Sequence, residues 1–256
     1  MVSAPFRYLV VVAVLLFGYT VVGQSNALVE AREALTSGNP SEKISLLDSL
    51  TKTNTLSPTL YQALGNAHHD RGEYGKAILA YERGLRLQPA NKDLANNLKY
   101  VRGEAGIDRP IIKEFFGVRW WRSFGAWVGV AAAKWIALLC WSLAVAGAAL
   151  WYLRREQMAE TRRFALLPAS GVLLALAFVF YVLGSSRAAY LGNDRDAILT
   201  ARSAELRVAP GPDATLEETL TEGLKVRILD EFESYVKVSL ENGRQGWLRS
   251  DVVDII

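Results

Sequence analysis

Thiol and imidazole chemistry is almost missing from these 256 residues, which hold one cysteine, Cys140, and two histidines, adjacent at His68 and His69. A single cysteine excludes an intrachain disulfide framework and any zinc site built mainly on thiolates. Adjacent residues on a helix point roughly 100° apart, so His68 and His69 do not make a joint metal site. No metal and no cofactor is expected. An excess of charge is lacking as well: 29 Lys and Arg against 26 Asp and Glu leave +3, too little to argue for nucleic acid. No Ser/His/Asp or Cys/His set and no phosphate-binding Gly loop stands out, so the expectation is a protein that is not an enzyme. Apolar residues make up 51% and charged residues 21%. That is too apolar for a disordered chain and too charged for a many-span transporter.

Charge is absent from three blocks. The first runs from Tyr8 to Val22 behind Arg7 and is succeeded by Gly23-Gln24-Ser25-Asn26-Ala27. Residues 1–27 read as a signal peptide cleaved after Gly23 or Ala27, with an uncleaved N-terminal anchor as the rival. Either one exports the segment from residue 28 onward. The second block, 135–153, has no charge for 19 residues, enough as a helix to cross the hydrocarbon core. Lys134 can snorkel at its start. Trp120, Trp121, Trp127 and Trp135 lie at one end and Trp151 and Tyr152 at the other, as aromatic belts do. Residues 109–134 read as an interfacial linker, with a short interfacial helix in Arg119–Val130. The third block, 164–184, has 21 uncharged residues, with Pro168 expected near its first turns. Cys140 lies inside the second block and is given no chemistry.

Between the two spans, the loop 154–163 carries four Arg and two Glu. By the positive-inside rule this loop is cytoplasmic, so the spans form a hairpin and both flanking segments face the other side. Helices buried in a soluble core are the alternative, but charge-free runs flanked by Arg and Trp fit that poorly.

Residues 28–108 read as helices throughout. Ser57 is an expected N-cap and Pro58 an expected first helical residue. Tyr61-x-x-Leu64-Gly65-x-x-His68, then Ala77, Tyr81, Gly84 and Pro89, stand at the spacings of a tetratricopeptide repeat covering 58–91, which this segment resembles. Gly65 and Ala77 are small where two helices approach. Tyr61, Leu64 and Tyr81 fill the space between them, and Pro89 stops the second helix. His68 stands where the family prefers Tyr, and Gly84 where it prefers Ala. Asn26–Ser37 and Ser41–Thr53 would form a degenerate first repeat, and residues 93–104 a capping helix. The resemblance implies a concave partner-binding groove, onto which Thr59, Gln62, Asn66, His69 and Asp70 would point. A solvated helix face is the alternative.

Residues 185–195 read as a linker, and from 196 to 256 the periodicity changes to two. Ala197–Leu199, Leu206–Val208, Val226–Leu229 and Tyr235–Leu240 read as strands, and Asn242-Gly243 as a hairpin turn. A small all-β barrel is expected. The order of Leu206-Arg207, Pro210-Gly211-Pro212, Tyr235-Val236-Lys237-Val238 and Gly246-Trp247-Leu248 resembles a bacterial SH3 (SH3b) domain, with Glu205 in place of the family's Asn. Tyr235 and Trp247 are candidates for its binding surface, unless Trp247 packs the barrel. Residues 187–256 hold nine Lys and Arg and thirteen Asp and Glu, which argues against capture of an acidic polymer.

The whole is expected to be a multidomain membrane protein with an α-helical tetratricopeptide stack, a transmembrane hairpin and a small SH3-like barrel. This order, with Ala77–Leu85, Asn96-Asn97-Leu98 and Asp108-Arg109-Pro110, resembles BatE-type proteins of the Bacteroides aerotolerance (Bat) group. The resemblance implies a bacterial inner-membrane scaffold on the periplasmic side. Its partners would be membrane-anchored von Willebrand A proteins and a MoxR-type AAA+ ATPase, in stress tolerance or envelope quality control. A cell-wall tether, with the SH3b domain on peptidoglycan, is the alternative.

Overall fold

The computed structural model describes residues 40–52, 57–107, 115–154, 156–157 and 159–256. The expected signal peptide or anchor and the first helix of the degenerate repeat lie outside them. The described chain gathers into two compact units. One combines the residues up to 107 with 194–256, and the other is built from the helices between 115 and 193.

Among the described residues the first unit has four helices ahead of its strands: α1 (Pro40–Lys52), α2 (Pro58–Asp70), α3 (Tyr74–Leu87) and α4 (Lys92–Glu104). Pro58 takes the first turn of α2 as expected, where its missing N–H matters least. Ser57 occupies the N-cap position, but its hydroxyl makes no capping hydrogen bond. The cap of α4 is Asn91, whose side chain accepts from the N–H groups of Asp93 (3.0 Å) and Leu94 (3.1 Å). Pro89 lies past the end of α3, in the α3–α4 turn. The ring of Tyr81, 2% exposed, lies against Gly65, where an added Cβ would come within 2.5 Å of it. Gly84 likewise leaves room for Leu94 and Tyr61. Leu47 and Leu50 of α1 join Leu60, Ala63, Leu64 and Ala67 of α2 in one apolar cluster.

The rest of this unit is β1 (Asp196–Leu199), β2 (Ser203–Arg207), β3 (Leu216–Thr221), β4 (Lys225–Phe232), β5 (Tyr235–Leu240), β6 (Gln245–Arg249) and β7 (Val253–Ile255). They form one antiparallel sheet in the order β3-β2-β6-β5-β4-β1-β7. The sheet is open between β3 and β7, where the sequence predicts a closed barrel. Asn242-Gly243 turns β5 into β6, with Gly243 at φ +82° and the Asn242 Oδ1 accepting from Arg244 N–H at 3.0 Å. One face supplies a continuous core, with residues from β1 to β6 including Leu199, Leu206, Leu220, Val226, Val238 and Leu248.

The repeat and the sheet pack on each other, where the sequence suggests two modules on a shared anchor. Ala197 and Leu199 of β1 face the sheet core, while Ile198, 0% exposed, enters the helical cluster of Ala77, Ile78, Tyr81, Leu94 and Val101. Period two predicts that alternation, and burial on both sides explains why all three residues are apolar. The backbones come close. The Gly75 N–H donates to the Glu222 carboxylate at 2.8 Å, and a Cβ at Gly75 would lie 2.7 Å from the Leu199 carbonyl oxygen. Gly223, at φ +82°, fits under Ile78 and Ile107. Arg83 donates to the Ile255 carbonyl from Nε (3.1 Å) and Nη2 (2.5 Å), and Arg86 donates to Ile256 O. Glu82 holds Arg102 at 2.8 Å and Lys225 at 3.5 Å.

The second unit contains α5 (Phe116–Val128), α6 (Val130–Arg154) and α7 (Glu160–Leu191). Stretches Val130–Arg154 and Phe164–Leu191 are each long and apolar enough to cross a membrane. Both exceed the charge-free runs, because a helix does not stop where charge begins: α6 includes Lys134, and α7 runs on through residues read as linker. Pro168 therefore lies inside α7 rather than in its first turns. Small residues line the seam between α6 and α7. Ala133, Ala137, Ala144 and Ala177 are buried there, and Gly184 lies within van der Waals reach of Ala133 and Lys134. Such residues let apolar helices pack closely in lipid, where exclusion of water gives no drive. The outer surfaces, including Trp135, Leu139, Phe164 and Phe178, are exposed apolar side chains. Cys140 is half-buried on α6.

Gly75 and Gly103 make a paired test of the repeat–sheet contact. Gly75→Ala should destabilise the first unit by about 1–3 kcal/mol, because two backbones must separate. Gly103→Ala, with nothing within 4 Å of the new Cβ, should leave it unchanged or raise it by about 0.5–1 kcal/mol. Thermal unfolding of the full chain in detergent checks both.

Candidate partner-binding face of the repeat

The candidate face lies on the outward side chains of α2 and α4, which join across their hydrogen bonds. Thr59, Asn66 and Asp70 are exposed, while Gln62 and His69 are half-buried. Three of these five make specific contacts. Asn66 Oδ1 accepts from the Tyr81 hydroxyl at 2.7 Å and from Asn97 Nδ2 at 3.2 Å. Asn66 thus satisfies a buried phenol as well as lining the face. Burial pushes the Tyr81 hydroxyl up to about 12. His69 Nε2 donates to Glu104 Oε2 at 2.6 Å, and the Tyr100 hydroxyl donates to Glu104 Oε1 at 2.8 Å. The His69 ring also lies edge-on to Tyr100, centroids 5.7 Å apart, and 6.2 Å from Tyr74. Asp70 is 3.8 Å from His69 Nδ1. The hydrogen bonds from His69 and Tyr100 hold the Glu104 carboxyl below its ordinary value.

α4 extends this face with a shallow depression of about 480 Å³ lined by Asn96, Lys99, Tyr100, Gly103 and Glu104. Asn96, Tyr100, Gly103 and Glu104 come one repeat period after Gln62, Asn66, His69 and Asp70. The sequence therefore contained the signal for them: the same face, stepped forward by one unit onto the capping helix.

His68 faces away from this groove. It is 9% exposed, and its Nδ1–H donates to Glu73 Oε2 at 2.8 Å. Burial lowers the His68 pKa, outweighing the pull of Glu73, with Lys76 and Arg71 nearby acting in the same direction as burial. Burial alone would raise Glu73, but the His68 hydrogen bond and the charges of Lys76 and Arg71 bring it below its ordinary value. Among the described residues no cluster of three His, Cys, Asp or Glu could hold a metal ion.

Tyr235 and Trp247, the candidates on the sheet, are half-buried. Leu248 and Val236 point into the core, so by alternation Trp247 and Tyr235 point out of the opposite face. Trp247 therefore does not pack the sheet core. Its cross-strand neighbours are Arg207 and Lys237, and those of Tyr235 are Phe232 and Arg249.

Residues 58–91 match the tetratricopeptide repeat family. The match covers α2, α3 and the turn after them. Neither the curated proteins nor the solved structures contain a match to this chain.

The His68–Glu73 pair gives a pH prediction. A histidine with a lowered folded pKa contributes stability that fades as pH falls below its unfolded value of 6.5. Glu73, lowered from 4.5, loses its contribution at more acid pH. Melting temperature should therefore fall in two stages on acidification, and His68→Gln should abolish the first stage and reduce the second, because Glu73 loses its imidazole partner. A melting temperature independent of pH between neutrality and the lower stage would contradict this.

Proposed function

We propose that this protein is a non-catalytic, membrane-anchored adaptor that binds a protein partner on the α2–α4 face. A tetratricopeptide repeat is a protein-interaction element, and its α3 side is already covered by the sheet, which leaves α2 and α4 for a partner. The observation that carries the anchoring is the discontinuity of the first unit: α1–α4 and β1–β7 pack together although α5–α7 separate them in the chain. Such a unit lies on one side of a bilayer, so the chain between its halves crosses an even number of times. The two apolar helices meet that requirement as a hairpin. The Arg-rich loop 154–163 supports a cytoplasmic turn, with the first unit in the periplasm of a bacterial inner membrane.

The resemblance to the Bat group supports naming the partners: von Willebrand A membrane proteins and a MoxR-type AAA+ ATPase in envelope stress tolerance. The open antiparallel sheet is read as an SH3-like domain serving as a structural partner of the repeat. The outward position of Tyr235 and Trp247 favours one second reading, a tether that holds peptidoglycan on that face.

The test is affinity capture of the full-length chain from native membranes in mild detergent, read by mass spectrometry. Asn96→Ala, Lys99→Ala and Tyr100→Ala together alter exposed side chains and spare the buried core, at the cost of the Tyr100 contacts with Glu104 and His69. This triple variant should lose the von Willebrand A proteins and the ATPase. Equal recovery by wild type and variant would sink the groove. Recovery of neither partner, with sacculi sedimenting with wild type and not with Trp247→Ala, would establish the tether instead. Asn66→Ala is the poorer probe, because it also strips the buried Tyr81 hydroxyl of a partner.

A further inference from the structure

The second unit contains a cavity that the adaptor reading does not use. It has a volume of about 680 Å³ and lies between α5 and the last turns of α7, lined by Trp121, Arg122, Leu183, Ser186, Arg187 and Tyr190 among others. We propose that this cavity holds the headgroup of an anionic phospholipid, with Arg122 and Arg187 on its phosphate. This rests on the membrane-hairpin reading and goes beyond it.

Three observations converge on the site. The first is charge. Arg122 Cζ stands 4.4 Å from the centroid of the Tyr190 ring, and Arg187 Cζ stands 5.7 Å from the same centroid. Both guanidiniums therefore serve one small volume. Arg187 is only 7% exposed, so this is a built feature and not a pair of surface side chains. The charged residues that line the cavity are Arg122 and Arg187, both cations. A guanidinium offers a planar fork of donors matched to two phosphate oxygens. A zwitterionic headgroup brings its own cation into this doubly basic place, and an anionic one does not.

The second observation is position. The cavity lies at one end of α7, beside an amphipathic helix. α5 exposes Trp120 and Trp127 near Arg119 and Arg122, and Phe115 and Phe116 are exposed at its start. Aromatic and basic residues together are what the boundary between hydrocarbon and water selects. The third is construction. Gly125 lets α5 approach Leu183 and Arg187, within 3.4 Å and 3.6 Å of an added Cβ. The indole N–H of Trp121 donates to Ser186 Oγ at 2.9 Å, and that hydroxyl donates to Leu183 O at 3.0 Å. These contacts fix the wall around the two arginines. Leu183 and Val118 make its apolar side, along which acyl chains can continue toward the hairpin.

The test uses the full-length protein in detergent, stripped of native lipid and offered an equimolar mixture of phosphatidylglycerol and phosphatidylcholine. Retained lipid is counted by native mass spectrometry. Wild type should prefer phosphatidylglycerol, and the preference should fall about fivefold for each arginine changed to Gln. Arg119→Gln, on the same helix and outside the cavity lining, should leave it unchanged. Should the Arg122→Gln/Arg187→Gln protein fail to fold, Arg122→Lys/Arg187→Lys keeps the charge and loses the fork, and must show a smaller drop. Equal retention of both lipids by wild type, or an unchanged preference in the arginine variants, overturns the site and leaves the hairpin standing. Displacement of phosphatidylglycerol by inorganic phosphate alone also overturns it, as a soluble-anion pocket. Retention of neither lipid likewise overturns the site and leaves the hairpin standing.

Discussion

The burial of Ile198 inside the repeat is the contact on which the rest of this molecule depends. β1 is a strand of four residues, and three of them are buried: Ala197 and Leu199 against the sheet, Ile198 against α3 and α4. α3 is covered correspondingly, with Ala77 through Tyr81 all buried in succession. A helix buried over five consecutive positions has neighbours on every side, here α2, α4 and the sheet. A lone tetratricopeptide unit cannot cover its own apolar faces. The sheet, with α1, takes the place that further repeats would fill. Truncating Ile198 to alanine would remove about 2–5 kcal/mol from this contact, a large part of what a small domain possesses.

That contact also governs the chain's topology. The residues that meet at α3 and β1 are separated in sequence by the whole of α5, α6 and α7. Between them lie two apolar helices, each long enough to cross a membrane and packed along small residues. The same contact also selects the free surface. With α3 covered, the polar and aromatic residues of α2 and α4 remain on the open side of the repeat, and their mutual hydrogen bonds hold them in place. Asn66 to Asn97 and His69 to Glu104 each join α2 to α4.

The repeat is legible in the sequence because its pattern is local. The glycines, the tyrosines and Pro89 stand at fixed offsets within one unit, and the helix bounds fall within a residue or two of the periodicity. The two long apolar helices are legible because uncharged runs of that length stand out, although the runs understate the helices. β3 escapes a reading by alternation because LEETLT has only Leu220 buried, and β7 because it is three residues long. Both lie at the ends of the sheet, where alternation weakens. The docking of sheet on repeat is a long-range contact, and its traces are two apolar clusters without period, Ala77–Tyr81 and Ala197–Leu199. Taken locally, each belongs to its own module. Half of the candidate face is hidden for a simpler reason: α4 reads as a cap, although a cap also occupies the next first-helix position of the groove.

The most direct test of this account asks on which side of the membrane each part lies. With Cys140 replaced by Ser, single cysteines at Lys92, Asp213 and Gln157 place one thiol in the repeat, one in the sheet and one in the loop of the hairpin. A membrane-impermeant maleimide applied to intact spheroplasts should label the first two and spare the third until the membrane is opened. Labelling of the repeat and the sheet from opposite sides would contradict the packing of Ile198 into the repeat, and with it the account as a whole.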